Sequence, residues 1–292
     1  MNPTATLNNS LKIPYLGFGT WKLSSGKETY DAVRYALDVG YRHIDTAQFY
    51  GNEADVGKAV HESNISREEI FVVSKVAISN FGYEQTIKSV EESLNKAKLD
   101  YFDLFLLHFP VQQLRIESYK ALEKLHSEGK LRSIGVSNFT IEHLEELVDE
   151  TGIIPAVNQV EFSPYLNQKE LHEYCKEKGI QLEAYSPLTQ GVKLNDPKLT
   201  KIAEKYNKST AQILIKWCLQ HEIVVIPKSS NPERIKQNFQ MFDFEILQED
   251  MNALDGFNEN FRNSWNPEDK KQLSTFSNGV IRKLSKLKTR ML

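Results

Sequence analysis

Four side chains of this 292-residue chain make chemical sense together: the carboxylate of Asp45, the phenol of Tyr50, the amine of Lys75 and the imidazole of His108. A free phenol, with a pKa of about 10, is a poor acid at neutral pH. An adjacent ammonium stabilises the phenolate and pulls that pKa down, and a carboxylate paired with the ammonium fixes its position. In such a set Tyr50 protonates a carbonyl oxygen while hydride arrives at the carbon. Lys75 tunes Tyr50, Asp45 holds Lys75, and His108 orients the carbonyl by a hydrogen bond. The set then requires a hydride donor. Each residue alone has a plainer reading, as a solvated loop charge or a hydrogen-bonded structural histidine. A lysine at a strand end also suits a different chemistry, a carbon–carbon lyase working through a Schiff base on Lys75.

The elements that must bring these residues together alternate regularly. Short apolar or β-branched runs at residues 16–19, 43–45, 70–76, 102–107, 133–136, 156–160, 181–185 and 224–227 read as strands. Between them, helical patterns cover residues 27–39, 53–63, 84–98, 116–128, 141–149, 168–178, 197–206 with 210–220, and 232–239. Gly40, Gly129 and Gly179 sit just past helix ends, where a left-handed residue is usual. A hairpin of residues 4–7 and 12–15, turned by Asn8-Asn9-Ser10, precedes them. Strict alternation implies a parallel sheet, open or closed. Eight repeats between residues 16 and 239, with no insertion large enough for a second domain, favour a closed α/β fold, the (β/α)8 TIM barrel. The expected organisation is a barrel over residues 1–262 and a C-terminal loop and basic amphipathic tail over 263–292.

In such a barrel the residues after the strand ends line the active face. Asp45 and Tyr50 follow the second strand, Lys75 ends the third, and His108-Phe109-Pro110 follow the fourth. Ser137-Asn138, Gln159, Tyr185-Ser186-Pro187 and Pro227-Lys228-Ser229-Ser230 mark the remaining ends.

Composition narrows the function classes. Charged residues are 26% and hydrophobic ones 40%, ordinary for a globular chain, and the net charge of −3 argues against a nucleic-acid binder. The longest apolar runs, residues 104–107 and 223–226, fall far short of the ~18 residues of a membrane span. Neither a secretory signal nor a CxxC pair is visible, and the two cysteines, Cys175 and Cys218, suit a reducing compartment. A cytoplasmic monomer is expected. Gly17-Phe18-Gly19 lacks the third glycine of a dinucleotide fingerprint, residues 51–59 miss the phosphate-loop spacing, and His61-Glu62 and His221-Glu222 lack a zincin's second histidine, so no metal site is expected.

The chain resembles the aldo-keto reductases. The matching stretches are Leu16-Gly17-Phe18-Gly19-Thr20-Trp21, Gly40-Tyr41-Arg42-His43-Ile44-Asp45-Thr46-Ala47 with Tyr50-Gly51-Asn52-Glu53, and Val73-Ser74-Lys75. They continue through Leu107-His108-Phe109-Pro110, Gly135-Val136-Ser137-Asn138-Phe139, Asn158-Gln159-Val160-Glu161, Ala184-Tyr185-Ser186-Pro187-Leu188 and Ile226-Pro227-Lys228-Ser229, in family order. The resemblance implies a (β/α)8 barrel that binds NADP(H) in extended form, with Asp45, Tyr50, Lys75 and His108 as its tetrad. It implies that Ser137, Asn138 and Gln159 hold the nicotinamide carboxamide, that Tyr185 stacks on the ring, and that Gly19, Thr20 and Trp21 lie beside cofactor and pocket. Ser186 and Leu188 would lie near the pyrophosphate. Lys228, Ser229 and Arg234, with Ser230 beside them, match the site for the adenosine 2′-phosphate, and Gln237 and Asn238 the positions near adenine.

A physical argument accompanies the phosphate assignment: Pro232-Glu233-Arg234 opens a helix whose free amides face an anion, and arginine adds a fork suited to phosphate. NADPH is therefore expected over NADH. A small carbonyl compound would sit among Trp21, Phe49, Tyr50, His108 and Phe109, with Phe81 as a further candidate. Some barrels of the family act as nucleotide-sensing subunits without turnover, which is a third reading. Departures from the family pattern are Phe109 for a frequent tryptophan, Thr189 for glycine, Gln190 for a small hydroxyl residue and Gln237 for glutamate. The short link at residues 111–116 resembles the compact microbial type, such as diketogluconate reductases or prostaglandin F synthase-like reductases. Val280, Ile281, Leu284, Leu287 and Met291 recur at helical spacing among basic residues, which predicts an amphipathic tail helix.

Overall fold

The computed structural model describes residues 3–112 and 114–269. The expected tail helix lies outside the described residues.

Strands β1 (Thr4–Thr6) and β2 (Lys12–Pro14) form the antiparallel hairpin. Eight parallel strands follow: β3 (Phe18–Gly19), β4 (His43–Asp45), β5 (Phe71–Val76), β6 (Leu104–Leu107), β7 (Ile134–Ser137), β8 (Val157–Glu161), β9 (Gln181–Tyr185) and β10 (Val224–Val225), each paired with its sequence neighbour. A parallel bridge between Leu16 and Val225 joins the first of these to the last and closes the barrel, with the Gly17 amide on the Val225 carbonyl at 2.9 Å. The expected first and last barrel strands are thus shorter than their apolar runs, because closure uses single bridges there.

The helices are α1 (Lys27–Val39), α2 (Glu53–His61), α3 (Tyr83–Ala97), α4 (Arg115–Ser127), α5 (Ile141–Thr151), α6 (Lys169–Glu177), α7 (Pro197–Lys205), α8 (Thr210–Gln220), α9 (Pro232–Phe239) and α10 (Gln248–Asp255). The last has no counterpart among the sequence expectations. Gly40, Gly129 and Gly179 take φ of 123°, 76° and 70°, as their places after α1, α4 and α6 require.

Strand alternation sorts the side chains into two cores. Val72, Val76, Phe105 and Leu107 point outward into the layer between barrel and helices. Phe71, Val73, Leu104, Leu106, Val157 and Val224 point inward and pack on Ala5, Leu7 and Ile13 of the hairpin, which plugs the lower end. One step further along the same strands the inward residues become polar. His43 and Asp45 on β4, Lys75 on β5, Gln159 on β8 and Glu183 on β9 are each at most 2% exposed.

Candidate active site

The centre is built on Lys75. Its amine donates to Asp45 Oδ1 at 2.7 Å, to Asp45 Oδ2 at 2.6 Å and to the Thr46 carbonyl at 2.9 Å, and it lies 3.4 Å from Tyr50 Oη. The carboxylate of Asp45, the Thr46 carbonyl and the Tyr50 hydroxyl thus surround a fully buried amine. This geometry spends the amine on an internal pair with Asp45, whereas a Schiff-base nucleophile needs it open to a substrate carbonyl.

Tyr50 reaches this amine because a 3₁₀ turn, Gln48–Tyr50, follows β4 at once. Gln48 staples the turn in place. Its carbonyl accepts from the Ala77 amide at 2.8 Å and from Asn80 Nδ2 at 2.9 Å, and its amide donates to the Ser89 carbonyl at 3.0 Å. The His108 ring stands edge-on to Tyr50, 5.7 Å between centroids, and the Trp21 ring lies tilted to Tyr50 at 4.8 Å. Asp45, Tyr50, Lys75 and His108 therefore meet at one rim.

The electrostatics differ from the sequence expectation in one respect. Burial first, then the Asp45 carboxylate and, once it is ionised, Glu183, hold the Tyr50 phenol well above its ordinary value instead of below it. The reason is visible in the pairing: Asp45 takes both its oxygens to Lys75, so the phenol senses a neutralised ammonium in a desolvated site. Tyr50 is a firmly protonated group. Burial, with Lys75 adding to it, pushes His108 down to about 3, so its imidazole is neutral and can donate one N–H.

Around this centre lie the residues expected to hold a nicotinamide cofactor. Asn138 follows β7 at φ 64°, a left-handed conformation that asparagine tolerates, and its amide donates to the Gln159 carbonyl at 2.9 Å. Its side chain donates to the His108 carbonyl at 3.1 Å and to Ser137 Oγ at 3.0 Å, and accepts from Tyr185 Oη at 2.8 Å. Ser137 in turn donates to the Gln159 carbonyl at 2.8 Å. Gln159 uses its NH2 group on Asp45 Oδ2 at 2.9 Å and on Glu183 Oε2 at 3.0 Å. Ser137, Asn138, Gln159 and Tyr185 thus form one hydrogen-bonded set joined to Asp45. Gly19 and Thr20 are buried, and the Thr20 hydroxyl donates to the Asp45 backbone carbonyl at 2.9 Å, which braces the strand end carrying that residue.

The loops carry the rest. After β9, Ser186, Thr189 and Gln190 take φ between 49° and 51°, so the loop keeps a left-handed backbone where threonine stands in place of glycine. Gln190 accepts from Lys22 at 2.7 Å, joining this loop to the one after β3, while Leu188 packs against the outer core. After β10, Lys228 and Ser229 are half-buried and Ser230 is exposed. Arg234 sits exposed in the first turn of α9, whose N-cap Asn231 accepts from the Arg234 amide at 3.1 Å. Further along α9, Gln237 is exposed and Asn238 buried. A convergent hydrogen-bonding set thus lies at one end of this face and a cationic helix N-terminus at the other.

The mouth is aromatic. Trp21 stacks on Phe49 at 5.7 Å, and Phe49 is 62% exposed. Phe109 is buried, with Trp265 edge-on to it at 5.8 Å. Phe81 does not belong here: it is fully buried in the layer between barrel and helices, just before α3.

Sequence reasoning missed three residues. Glu161, at the end of β8, accepts from the Asn263 amide at 2.7 Å and from the Ser264 amide at 2.9 Å, and so anchors the loop that carries Trp265. His43 and Glu183 lie below the tetrad inside the barrel. The period-two spacing from His43 to Asp45 and from Glu183 to Tyr185 was the available signal.

Comparison with known proteins agrees with this architecture. The Aldo/keto reductase family profile matches residues 15–259. A glyoxal reductase of Bacillus subtilis is 49% identical over 269 residues, covering 92% of this chain and 98% of its own. The 9,11-endoperoxide prostaglandin H2 reductase of Trypanosoma cruzi is 46% identical, with 90% and 94% covered. The crystal structure of an aldo/keto reductase from Brucella melitensis superposes with a TM-score of 0.85 at 45% identity, covering 88% of this chain and all of that one. A closed eight-stranded barrel, a carboxylate-paired lysine beside a tyrosine, and matches over most of the chain lead to one conclusion: this protein belongs to the aldo/keto reductase family.

Proposed function

We propose that the protein reduces an aldehyde or ketone to the alcohol with NADPH, using Tyr50 as general acid. The observation that carries this reading is the buried contact of Lys75 with both oxygens of Asp45 and, at 3.4 Å, with Tyr50 Oη. The bound cofactor would supply the hydride. Ser137, Asn138 and Gln159 would hold its carboxamide, Tyr185 its ring, and Lys228, Ser229 and Arg234 its 2′-phosphate.

The chain's own residues do the remainder. His108, neutral, donates to the carbonyl oxygen and sets its direction. As that oxygen gains charge it becomes a stronger base than a phenolate, so a protonated Tyr50 gives up its proton without a depressed starting pKa. Lys75 then lies beside the phenolate left behind, and Asp45 keeps the amine in place. Trp21, Phe49 and Phe109 exclude water around the transfer. We read the enzyme as a cytoplasmic monomer, in keeping with the free, buried thiols of Cys175 and Cys218.

Small aldehydes and dicarbonyls are the substrates to try first, given the glyoxal reductase among its relatives. The test is NADPH oxidation with a panel of glyoxal, methylglyoxal, ketoacids, sugars and quinones. Turnover that is lost in Tyr50→Phe supports the reading. Binding of NADPH without turnover on any carbonyl would instead favour a sensing subunit.

A further inference from the structure

Below the tetrad, His43 and Glu183 face each other across the barrel, both wholly buried. His43 Nδ1 lies 3.3 Å from the Pro14 carbonyl, which can only accept, so the ring hydrogen is on Nδ1. His43 Nε2 is then a bare acceptor. It lies 3.3 Å from Glu183 Oε1, and neither atom has a hydrogen-bond donor opposite it among the described residues. Two buried acceptors in that position repel unless a proton stands between them. The other oxygen, Glu183 Oε2, accepts from Gln159 Nε2 at 3.0 Å, and the same amide group donates to Asp45 Oδ2 at 2.9 Å. A polar line thus runs from the hairpin through His43, Glu183, Gln159, Asp45 and Lys75 to Tyr50. Room for the ring is made by Gly17, where a Cβ would stand 2.6 Å from His43 Nδ1.

We propose that His43 and Glu183 hold one shared proton beneath the catalytic rim and serve as positioning residues, keeping Lys75 and Asp45 the only charges beside Tyr50. With the proton present the pair is neutral, and Lys75 and Asp45 cancel each other. Without it, a second carboxylate enters a site with a single ammonium. The charged groups that reach Glu183 are Asp45 and Lys75, and Lys75 is the one that reaches His43.

Burial, reinforced by Asp45, pushes Glu183 up to about 8, and burial takes His43 down to about 3. The proton therefore resides on Glu183 through the neutral range. When it leaves, the new charge opposes formation of the Tyr50 phenolate, as the Glu183 contribution to the raised phenol shows. Reduction then weakens as pH rises past about 8.

The proton itself is argued from geometry; its effect on rate rests on Tyr50 being the acid. Two measurements keep these apart. Infrared difference spectra of the cofactor-free protein, wild type against Glu183→Gln, should show a protonated carboxyl band at mildly acidic pH that fades as pH passes about 8. Absence of that band in folded protein overturns the proposal, whatever the activity. Loss of activity in Tyr50→Phe bears on the proposed function alone.

The pH profile of kcat/KM is the second measurement. A glutamine amide can donate to His43 and accept from Gln159, so Glu183→Gln should rescue turnover and abolish the alkaline fall. Glu183→Leu, which leaves His43 Nε2 and one Gln159 N–H unpaired, should lose about tenfold or more. Equal impairment in both variants, or an alkaline limb unchanged in Glu183→Gln, would refute the coupling.

Discussion

Two polar regions of this barrel handle charge in opposite ways. At the rim, Lys75 and Asp45 are at most 2% exposed and the amine is paired within the protein, with Asp45, the Thr46 carbonyl and Tyr50 around it. On the far arm, Lys228 is only half-buried and Arg234 projects into solvent from the start of α9. The first region is complete without a ligand; the second presents cations at a helix N-terminus without a carboxylate partner on Arg234 among the described residues. Internally balanced charges position chemistry, and charges left facing solvent are suited to meeting an anion.

The strongest way to break this contrast is at the rim. Lys75→Met and Tyr50→Phe should each lower kcat by about 10²–10⁴-fold while leaving the Kd for NADPH within about twofold, measured by turnover and by fluorescence titration. If cofactor affinity fell as far as turnover, the rim would be a binding site and not a proton-transfer site.

Next in size is stability. Asp45→Ala leaves the Lys75 ammonium buried with the Thr46 carbonyl as its remaining strong acceptor. Removal of one member of a buried pair costs about 3–5 kcal/mol, to be read from urea unfolding. Lys228→Ala or Arg234→Ala should leave unfolding unchanged within about 0.5 kcal/mol. Each should instead raise the KM for NADPH by about tenfold or more and hardly alter that for NADH. An unaltered cofactor preference would remove the anion role from this arm.

The buried pair below the rim gives a smaller, pH-dependent signature. Folding raises Glu183 from 4.5 to about 8, so its stabilising share is whole at low pH and is lost as pH climbs through that interval. Folding lowers His43 from 6.5 to about 3, so its share is whole above 6.5 and is lost as pH falls. The two cancel between 4.5 and 6.5, and wild-type Tm should fall as pH rises from 6.5 towards 8. In Glu183→Gln that fall should disappear. The smallest effect is expected from Asn231→Ala, which removes the cap of α9 and should cost about 1 kcal/mol.

Much of this was open to sequence reading, and the misses are instructive. The strand-end argument singled out Asp45, Tyr50, Lys75 and His108, and the structure brings these four to one rim. The aldo-keto reductase motifs likewise marked the chain's family, although site assignments by resemblance name residues and do not give their protonation. The expected acidification of Tyr50 was wrong in direction, because a list of neighbours does not reveal the burial of the phenol, which Asp45 reinforces. Phe81 looked like a pocket residue by type, yet it packs wholly into the core between barrel and helices. Helix α10 was overlooked, its short apolar set at Met251 and Leu254 offering little periodicity.

Local patterns dictate which stretches become strands and helices, where helices stop, and which residues stand at the strand ends, since these depend on neighbours a few positions apart. Closure through Leu16 and Val225, the meeting of His43 with Glu183, and the anchoring of residues 263–264 on Glu161 join positions some 100 to 200 apart. Such contacts, and the desolvation that sets each proton's place, exist only once the barrel has closed, because burial is a property of the packed whole and not of any segment within it.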